Sequence, residues 1–175
     1  AFGELYAAYP QNVEFKYGLA GSYDNLGSIY TSLGNLDKVL DAYSMTNQIL
    51  KELHTSYPQI VDFKNGLALS YGKLGDINYR FGNLHETVQF FEQSIQLGQE
   101  LSATYSQNVN FKNGLALSYA KLGAVSRDDL KDNKKAKTYF QEAEKLWSEL
   151  VRDAPHYVQF QQFLEMVQKD IKSLD

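Results

Sequence analysis

The sequence predicts an all-α protein made of consecutive helix–turn–helix repeats. Three observations carry that reading: a 48-residue self-similarity, apolar residues spaced by three and four, and glycine or proline at the junctions between apolar runs. Tyr9-Pro10-Gln11-Asn12-Val13-Glu14-Phe15-Lys16 returns 48 residues later as Tyr57-Pro58-Gln59-Ile60-Val61-Asp62-Phe63-Lys64. After another 48 it returns as Tyr105-Ser106-Gln107-Asn108-Val109-Asn110-Phe111-Lys112. The run Phe63–Tyr71, FKNGLALSY, recurs unchanged at Phe111–Tyr119, and Lys73-Leu74-Gly75 recurs as Lys121-Leu122-Gly123. A degraded fourth copy begins at Pro155-His156-Tyr157-Val158-Gln159-Phe160. It comes one residue late because of an insertion near Lys131-Asp132-Asn133. No segment alternates with period two, so no sheet is expected.

In chain order, Glu4-Leu5-Tyr6-Ala7-Ala8-Tyr9-Pro10 matches Glu52-Leu53-His54-Thr55-Ser56-Tyr57-Pro58. Residues 1–8 therefore read as the end of a preceding repeat, and the chain as a piece of a longer protein. Repeats follow over 9–56, 57–104 and 105–154, with a capping helix over 155–175, all in one domain covering 1–175. Within the second repeat, Phe63, Leu67, Tyr71, Leu74, Ile77 and Phe81 keep one helical face. Gly82-Asn83 ends that helix, glycine being suited to the left-handed position after a helix. The second helix carries Leu84, Val88, Phe91, Ile95 and Leu101, and stops before Tyr105. Pro10, Pro58 and Pro155 are expected in the first turns of helices, where proline sacrifices no hydrogen bond. The capping helix shows an apolar face (Val158, Phe160, Leu164, Val167, Ile171) and a polar one (Gln161, Gln162, Glu165, Gln168, Lys169, Lys172). About seven helices and a stub result.

The same residues resemble a family. Tyr23-x2-Leu26-Gly27-x2-Tyr30, followed by Gly34, Val39, Tyr43 and Pro58, is similar to the tetratricopeptide pattern. Tyr71-x2-Leu74-Gly75, Gly82, Thr87 and Phe91 follow it in the second repeat, and Ala136, Phe140, Ala143 and Pro155 in the third. Asn78, Ser126 and Leu130 depart from it, Leu130 standing at the inter-helix glycine position. The usual unit is about 34 residues; the extra length falls as roughly seven residues per helix, close to two turns, which lengthens each helix without rotating its buried face. Such lengthened hairpins are similar to kinesin light chain repeats. The resemblance implies a right-handed superhelical solenoid of about three repeats whose concave face binds a peptide or protein. Gly18, Gly66, Gly114, Gly27, Gly75 and Gly123 are then expected where helices cross, admitting the rings of neighbouring helices. Tyr23, Tyr71 and Tyr119 are expected to form a core ladder, and Trp147, which stands where Leu50 and Gly98 stand in the other copies, to fill the core or a groove.

Carried onto this chain, the family's concave positions give three rows. The first is Glu14, Tyr17, Asp24, Asn25, Ser28 and Thr31; the second is Asp62, Asn65, Lys73, Asp76, Tyr79 and Arg80; the third is Asn110, Asn113, Lys121, Arg127 and Asp128. Asn65 and Asn113 suit a peptide backbone, since one amide offers both donor and acceptor. Lys73 and Lys121 suit acidic side chains or a C-terminal carboxylate. Charge drifts along the array, with three basic against six acidic residues in 1–56, three against five in 57–104, and eleven against ten in 105–175. A ligand is thus expected to point its basic end toward the first repeat.

Composition narrows the function classes. With 17 Lys+Arg against 21 Asp+Glu, the net charge of −4 argues against a dedicated nucleic-acid or anionic-membrane binder. No apolar run approaches the roughly 18–20 residues of a membrane span. The opening residues lack the basic start and apolar core of a signal peptide; the sequence leaves the compartment open, a cytoplasmic one being favoured. Zero cysteines exclude disulfides and thiol chemistry. His54, His85 and His156 are scattered and expected at the surface; Gln89 stands where a second zinc histidine would follow His85-Glu86. Asp128–Asn133 lacks the glycine and closing glutamate of a calcium loop. No metal, cofactor or catalytic group is therefore expected, and the chain reads as a non-enzyme: a binding scaffold first. The alternative is a spacer or self-association segment of a larger signalling or regulatory protein, joining copies through its first repeat.

Overall fold

The computed structural model describes residues 2–9 and 11–174. Their regular structure is helical throughout, with no strand among them: α1 (Phe2–Ala8), α2 (Val13–Ser32), α3 (Leu36–Ser56), α4 (Val61–Phe81), α5 (Leu84–Thr104), α6 (Val109–Asp128), α7 (Asn133–Asp153) and α8 (Val158–Lys172). The expected stub is α1 and the seven helices are α2–α8. The chain divides into two compact units, Ala1–Asn83 and Leu84–Asp175. In each, helices pack on their sequence neighbours: α1 on α2, α2 on α3 and α3 on α4 in the first unit, and α5 on α6, α6 on α7 and α7 on α8 in the second.

The 48-residue period is visible in the helix starts. Val13, Val61, Val109 and Val158 each open a helix. A four-residue turn precedes each one, in which the Asn12, Ile60, Asn108 and Tyr157 N–H groups donate to the carbonyls of Tyr9, Tyr57, Tyr105 and Ala154 at 3.0, 3.1, 2.9 and 3.1 Å. Pro58 and Pro155 are the second residues of these turns, outside the helices. This corrects the first-turn expectation for both. The physical reason is that proline's fixed φ suits the second turn position, while the residue before it is driven out of the helical region; Tyr57 and Ala154 accordingly sit at φ −136° and −139°. Pro10 lies outside the described residues. The Asn12 and Asn108 side chains cap α2 and α6 by accepting from Phe15 N–H (3.0 Å) and Phe111 N–H (3.2 Å). Ile60 and Tyr157 offer no side-chain cap.

The first helices of the hairpins end at a glycine, with one exception. Gly34 (φ 71°) and Gly82 (φ 77°) adopt the left-handed conformation after α2 and α4. In the third copy Lys131, not Leu130, does so (φ 57°), because the one-residue insertion lengthens that turn. Asp132 N–H donates back to Ser126 C=O at 2.8 Å, and the Asp132 carboxylate caps α7 through Lys135 N–H at 3.0 Å.

Inside the first unit, Ala20 of α2, Val39 and Leu53 of α3, and Phe63 and Leu67 of α4 are buried. The second has a core running from Phe91 and Leu115 through Leu122, Phe140 and Trp147 to Phe160 and Val167. Gly27 receives the Tyr43 ring directly, and a Cβ at Gly123 would lie 2.7 Å from the Phe140 ring. A Cβ at Gly66 would lie 3.1 Å from Leu50. Gly114 corrects the pattern, since a Cβ there would meet nothing within 4 Å; the close-packed glycine of that junction is Gly98, against Leu115 at 3.2 Å. Phe81 is exposed, Val158 is 68% exposed, and Phe163 replaces Val158 on the packed side of α8. Tyr71 and Tyr119 are buried while Tyr23 is half-buried, and His54 is half-buried where a surface position was expected. No helix among the described residues is long and apolar enough to cross a membrane.

Candidate functional site

A cavity of about 470 Å³ lies in the first unit, between α2 and α4 with α3 as its floor. Tyr17, Gly18, Gly21, Asp24 and Asn25 come from α2, Thr46 and Leu50 from α3, and Gly66, Leu69, Ser70 and Lys73 from α4. Helical spacing puts them there. Tyr17, Gly21, Asp24 and Asn25 follow three- and four-residue steps on one face of α2, as do Gly66, Leu69, Ser70 and Lys73 on α4. The absent side chains at Gly18, Gly21 and Gly66 keep the middle of the groove open.

The polar groups are anchored. Thr46 Oγ1 donates to Ala20 C=O across the helix pair at 3.3 Å and to Ala42 C=O at 3.1 Å. The Asn47 amide donates to Ser70 Oγ at 2.9 Å, tying α3 to α4. At one end of the groove Lys73 Nζ donates to Asp24 Oδ1 at 2.5 Å and lies 5.1 Å from the Tyr43 ring centroid. At the other end Tyr17 packs against Phe63, their centroids 5.2 Å apart. Burial, and secondarily the Asp62 carboxylate, hold the Tyr17 phenol above its ordinary pKa.

The structure thus brings Tyr17, Asp24, Asn25 and Lys73 around one space. Asn65, Asp76, Tyr79 and Arg80 lie elsewhere on α4, Asn65 and Asp76 half-buried, Tyr79 and Arg80 exposed. Ser28 and Thr31 turn their hydroxyls back onto α2 carbonyls, at Asp24 (3.1 Å) and Gly27 (2.8 Å). Glu14, Asp62 and Asn110 are exposed. In the second unit Asn113 Oδ1 accepts from Trp147 Nε1 at 3.0 Å. Lys121 Nζ lies 5.9 Å from the Phe91 ring centroid. Arg127 donates to Asp170 on α8 at 2.6 Å and to both oxygens of Asp128 at 2.7 and 3.0 Å. Those carboxylates raise the guanidinium pKa, and Arg127 lowers that of Asp128. Gly21, Thr46, Leu69 and Ser70 were not singled out from the sequence. Gly21 stands four residues after Tyr17 and Leu69 four before Lys73, so extending each helical stripe by a turn finds them. Among the described residues no group of three or more His, Asp or Glu side chains is placed to hold a metal ion.

The tetratricopeptide repeat family matches residues 20–43, from the middle of α2 through the Gly34 turn to Tyr43. No curated protein matches the chain. Among solved structures it is similar to MamA, at 15% identity and TM-score 0.42, covering 99% of this chain and 78% of that one. It is also similar to a chain of the DHF58 filament, at 10% identity and TM-score 0.42, covering 93% and 80%. A further MamA structure stands at 15% identity and TM-score 0.30, covering 89% and 84%. The family match falls on a helix pair whose sequence pattern recurs every 48 residues, and the chain is an all-α helical repeat protein, one stretch of which is similar to a tetratricopeptide repeat.

Proposed function

We propose that the chain binds a peptide or protein segment along the groove between α2 and α4, the surface that corresponds to the family's concave face. The observation that carries this reading is the groove itself: an open space of about 470 Å³ with an apolar floor, walled by Tyr17 and Leu69 and closed at one end by the Asp24–Lys73 pair. Few precisely placed polar groups around an apolar space is the general form of a ligand site. A carboxylate ligand at Lys73 competes with Asp24, so charge reversal at Lys73 reports on acidic ligands only when Asp24 is considered with it.

Gly21→Trp tests it. A Cβ at Gly21 meets nothing within 4 Å, so the ring fills the groove without disturbing the core. Random dodecamer peptides displayed on phage and selected on the wild-type chain should bind Gly21→Trp at least tenfold more weakly, with Gly114→Ala unchanged. Equal binding to Gly21→Trp overturns the reading.

A second reading, self-association through the first repeat, rests on a different surface. Leu26 and Ile29 on α2 and Leu33 just after it are 40%, 53% and 72% exposed, while the equivalents of the first two on α6, Leu122 and Val125, are buried. Met45 extends this apolar strip on α3. Sedimentation of wild type at high concentration should show dimers that Ile29→Lys/Leu33→Lys abolishes; a wild-type monomer at all concentrations refutes it.

A further inference from the structure

The two units treat one pair of repeat positions in opposite ways. The sixth residue of α4 is Gly66 and that of α8 is Phe163; the fifteenth of α3 is Leu50 and that of α7 is Trp147. In the second unit the Trp147 and Phe163 rings pack with centroids 5.2 Å apart, tilted by 34°, and Trp147 Nε1 donates to Asn113 on α6, so Trp147 joins three helices. Trp147 is fully buried there. In the first unit the same positions hold a leucine and a glycine, and both line the open groove.

We infer that the first unit's groove takes an aromatic side chain of its partner, flanked by basic residues, so that the ligand supplies the ring that Phe163 supplies internally in the second unit. This inference rests on the groove-binding reading and names its ligand class. Size and charge both support it. The cavity of about 470 Å³ accommodates a phenyl ring with its adjoining backbone, and a ring over Leu50 buries apolar surface on both sides. At the Tyr17 end, Glu14 and Asp62 stand exposed in the first turns of α2 and α4, and Lys16 of α2 is occupied by Glu52 of α3 at 2.6 Å. The opposite end is closed by the Asp24–Lys73 pair, whose charges cancel. The open end therefore carries three carboxylates, Glu14, Asp62 and Glu52, against Lys16 and the half-buried Lys64, a net acidic balance that complements a basic flank.

The test uses the full chain, amide NMR and three probes: acetyl-Arg-Phe-Arg-amide, acetyl-Arg-Ala-Arg-amide and acetyl-Glu-Phe-Glu-amide. The first should shift the Gly18, Gly21 and Gly66 amides and bind at least tenfold more tightly than the alanine probe. It should also bind at least threefold more tightly than the acidic probe, an advantage that shrinks with salt. Gly66→Phe, which builds the internal ring, should reduce that binding at least tenfold. Because a Cβ at Gly66 crowds Leu50, Gly21→Phe serves as the second variant with the same expected loss. Equal binding of the phenylalanine and alanine probes, or undiminished binding to Gly21→Phe, overturns the inference. If selected dodecamers lose binding in Gly21→Trp yet the probes show no aromatic preference, this inference alone fails; if they do not lose it, the groove reading fails first.

Discussion

A glycine inside a helix normally weakens it by about 1 kcal/mol relative to alanine. Gly123 reverses that sign, because an added Cβ would sit 2.7 Å from a ring atom of Phe140, and the ring cannot retreat through a packed core. Gly123→Ala should destabilise by about 1–3 kcal/mol, while Gly21→Ala and Gly114→Ala, whose added carbons meet nothing, should stabilise by about 0.5–1 kcal/mol. Urea denaturation of the three variants reads the opposite signs directly. Much of this was legible in the sequence, since the glycines recur at one register. What was not legible is which of them meets a side chain: Gly66 and Gly114 share a position, yet Leu50 faces one, whereas Gly98 stands at Leu50's place beside the other. A second residue-level effect concerns Glu52. Hydrogen bonds from Lys16 and Gln48 hold its carboxyl below the ordinary glutamate range, so the folded state releases this proton more readily than the unfolded chain. The contribution is fully present above the ordinary value of about 4.3 and is lost as pH falls through the lowered folded value. Glu52→Gln should therefore flatten the fall of melting temperature between about pH 5 and 3, with a cost near neutral pH under about 1 kcal/mol because the pair is exposed.

Helix boundaries show how much a repeat discloses and where it stops. The valine that opens α2, α4, α6 and α8 is fixed by the repeat, but Pro58 and Pro155, expected inside the helices, lie in the turns before them. Pattern alone cannot separate a first-turn proline from a proline in a turn three residues upstream; the carbonyl bonds from Ile60 and Tyr157 decide it. The same alignment exposes a defect. Asn12 and Asn108 cap their helices, and Ile60 at the equivalent place cannot. Asn108→Ala should cost about 1 kcal/mol. Ile60→Asn should add a few tenths up to about 1 kcal/mol, offset in part by the apolar surface its half-buried side chain gives up. Paired thermal melts test both, and a destabilised Ile60→Asn would show that packing outweighs the missing cap there. Tyr17, Asp24, Asn25 and Lys73 followed from the same register. The groove's floor did not, because Leu50 and Thr46 belong to the other helix of the hairpin and reach the groove only through packing.

On the scale of the whole chain, each helix in either unit touches its sequence neighbours, so stability is a sum of local interfaces and not the property of one shared core. Perturbation should consequently fade with distance along the array. Trp147 is the sharpest place to apply it, being fully buried between the Asn113 amide of α6 and the Phe163 ring of α8. Trp147→Leu restores the residue that the first repeat carries at this position, but with Phe163 still opposite it and Asn113 left without its donor. Losing the indole volume and leaving that carbonyl unmatched should cost about 2–4 kcal/mol. If the interfaces are local, amide hydrogen exchange in native conditions should rise most in α6, α7 and α8, less in α5, and least in α2 and α3. Adding Phe163→Gly should recover none of the lost stability, yet it rebuilds the leucine–glycine pairing of the first unit. The double variant should therefore acquire the aromatic-probe binding otherwise found at Gly66. Equal acceleration of exchange in every helix would show instead that the chain opens as one cooperative body. The effect of a substitution would then no longer be readable from the repeat that contains it.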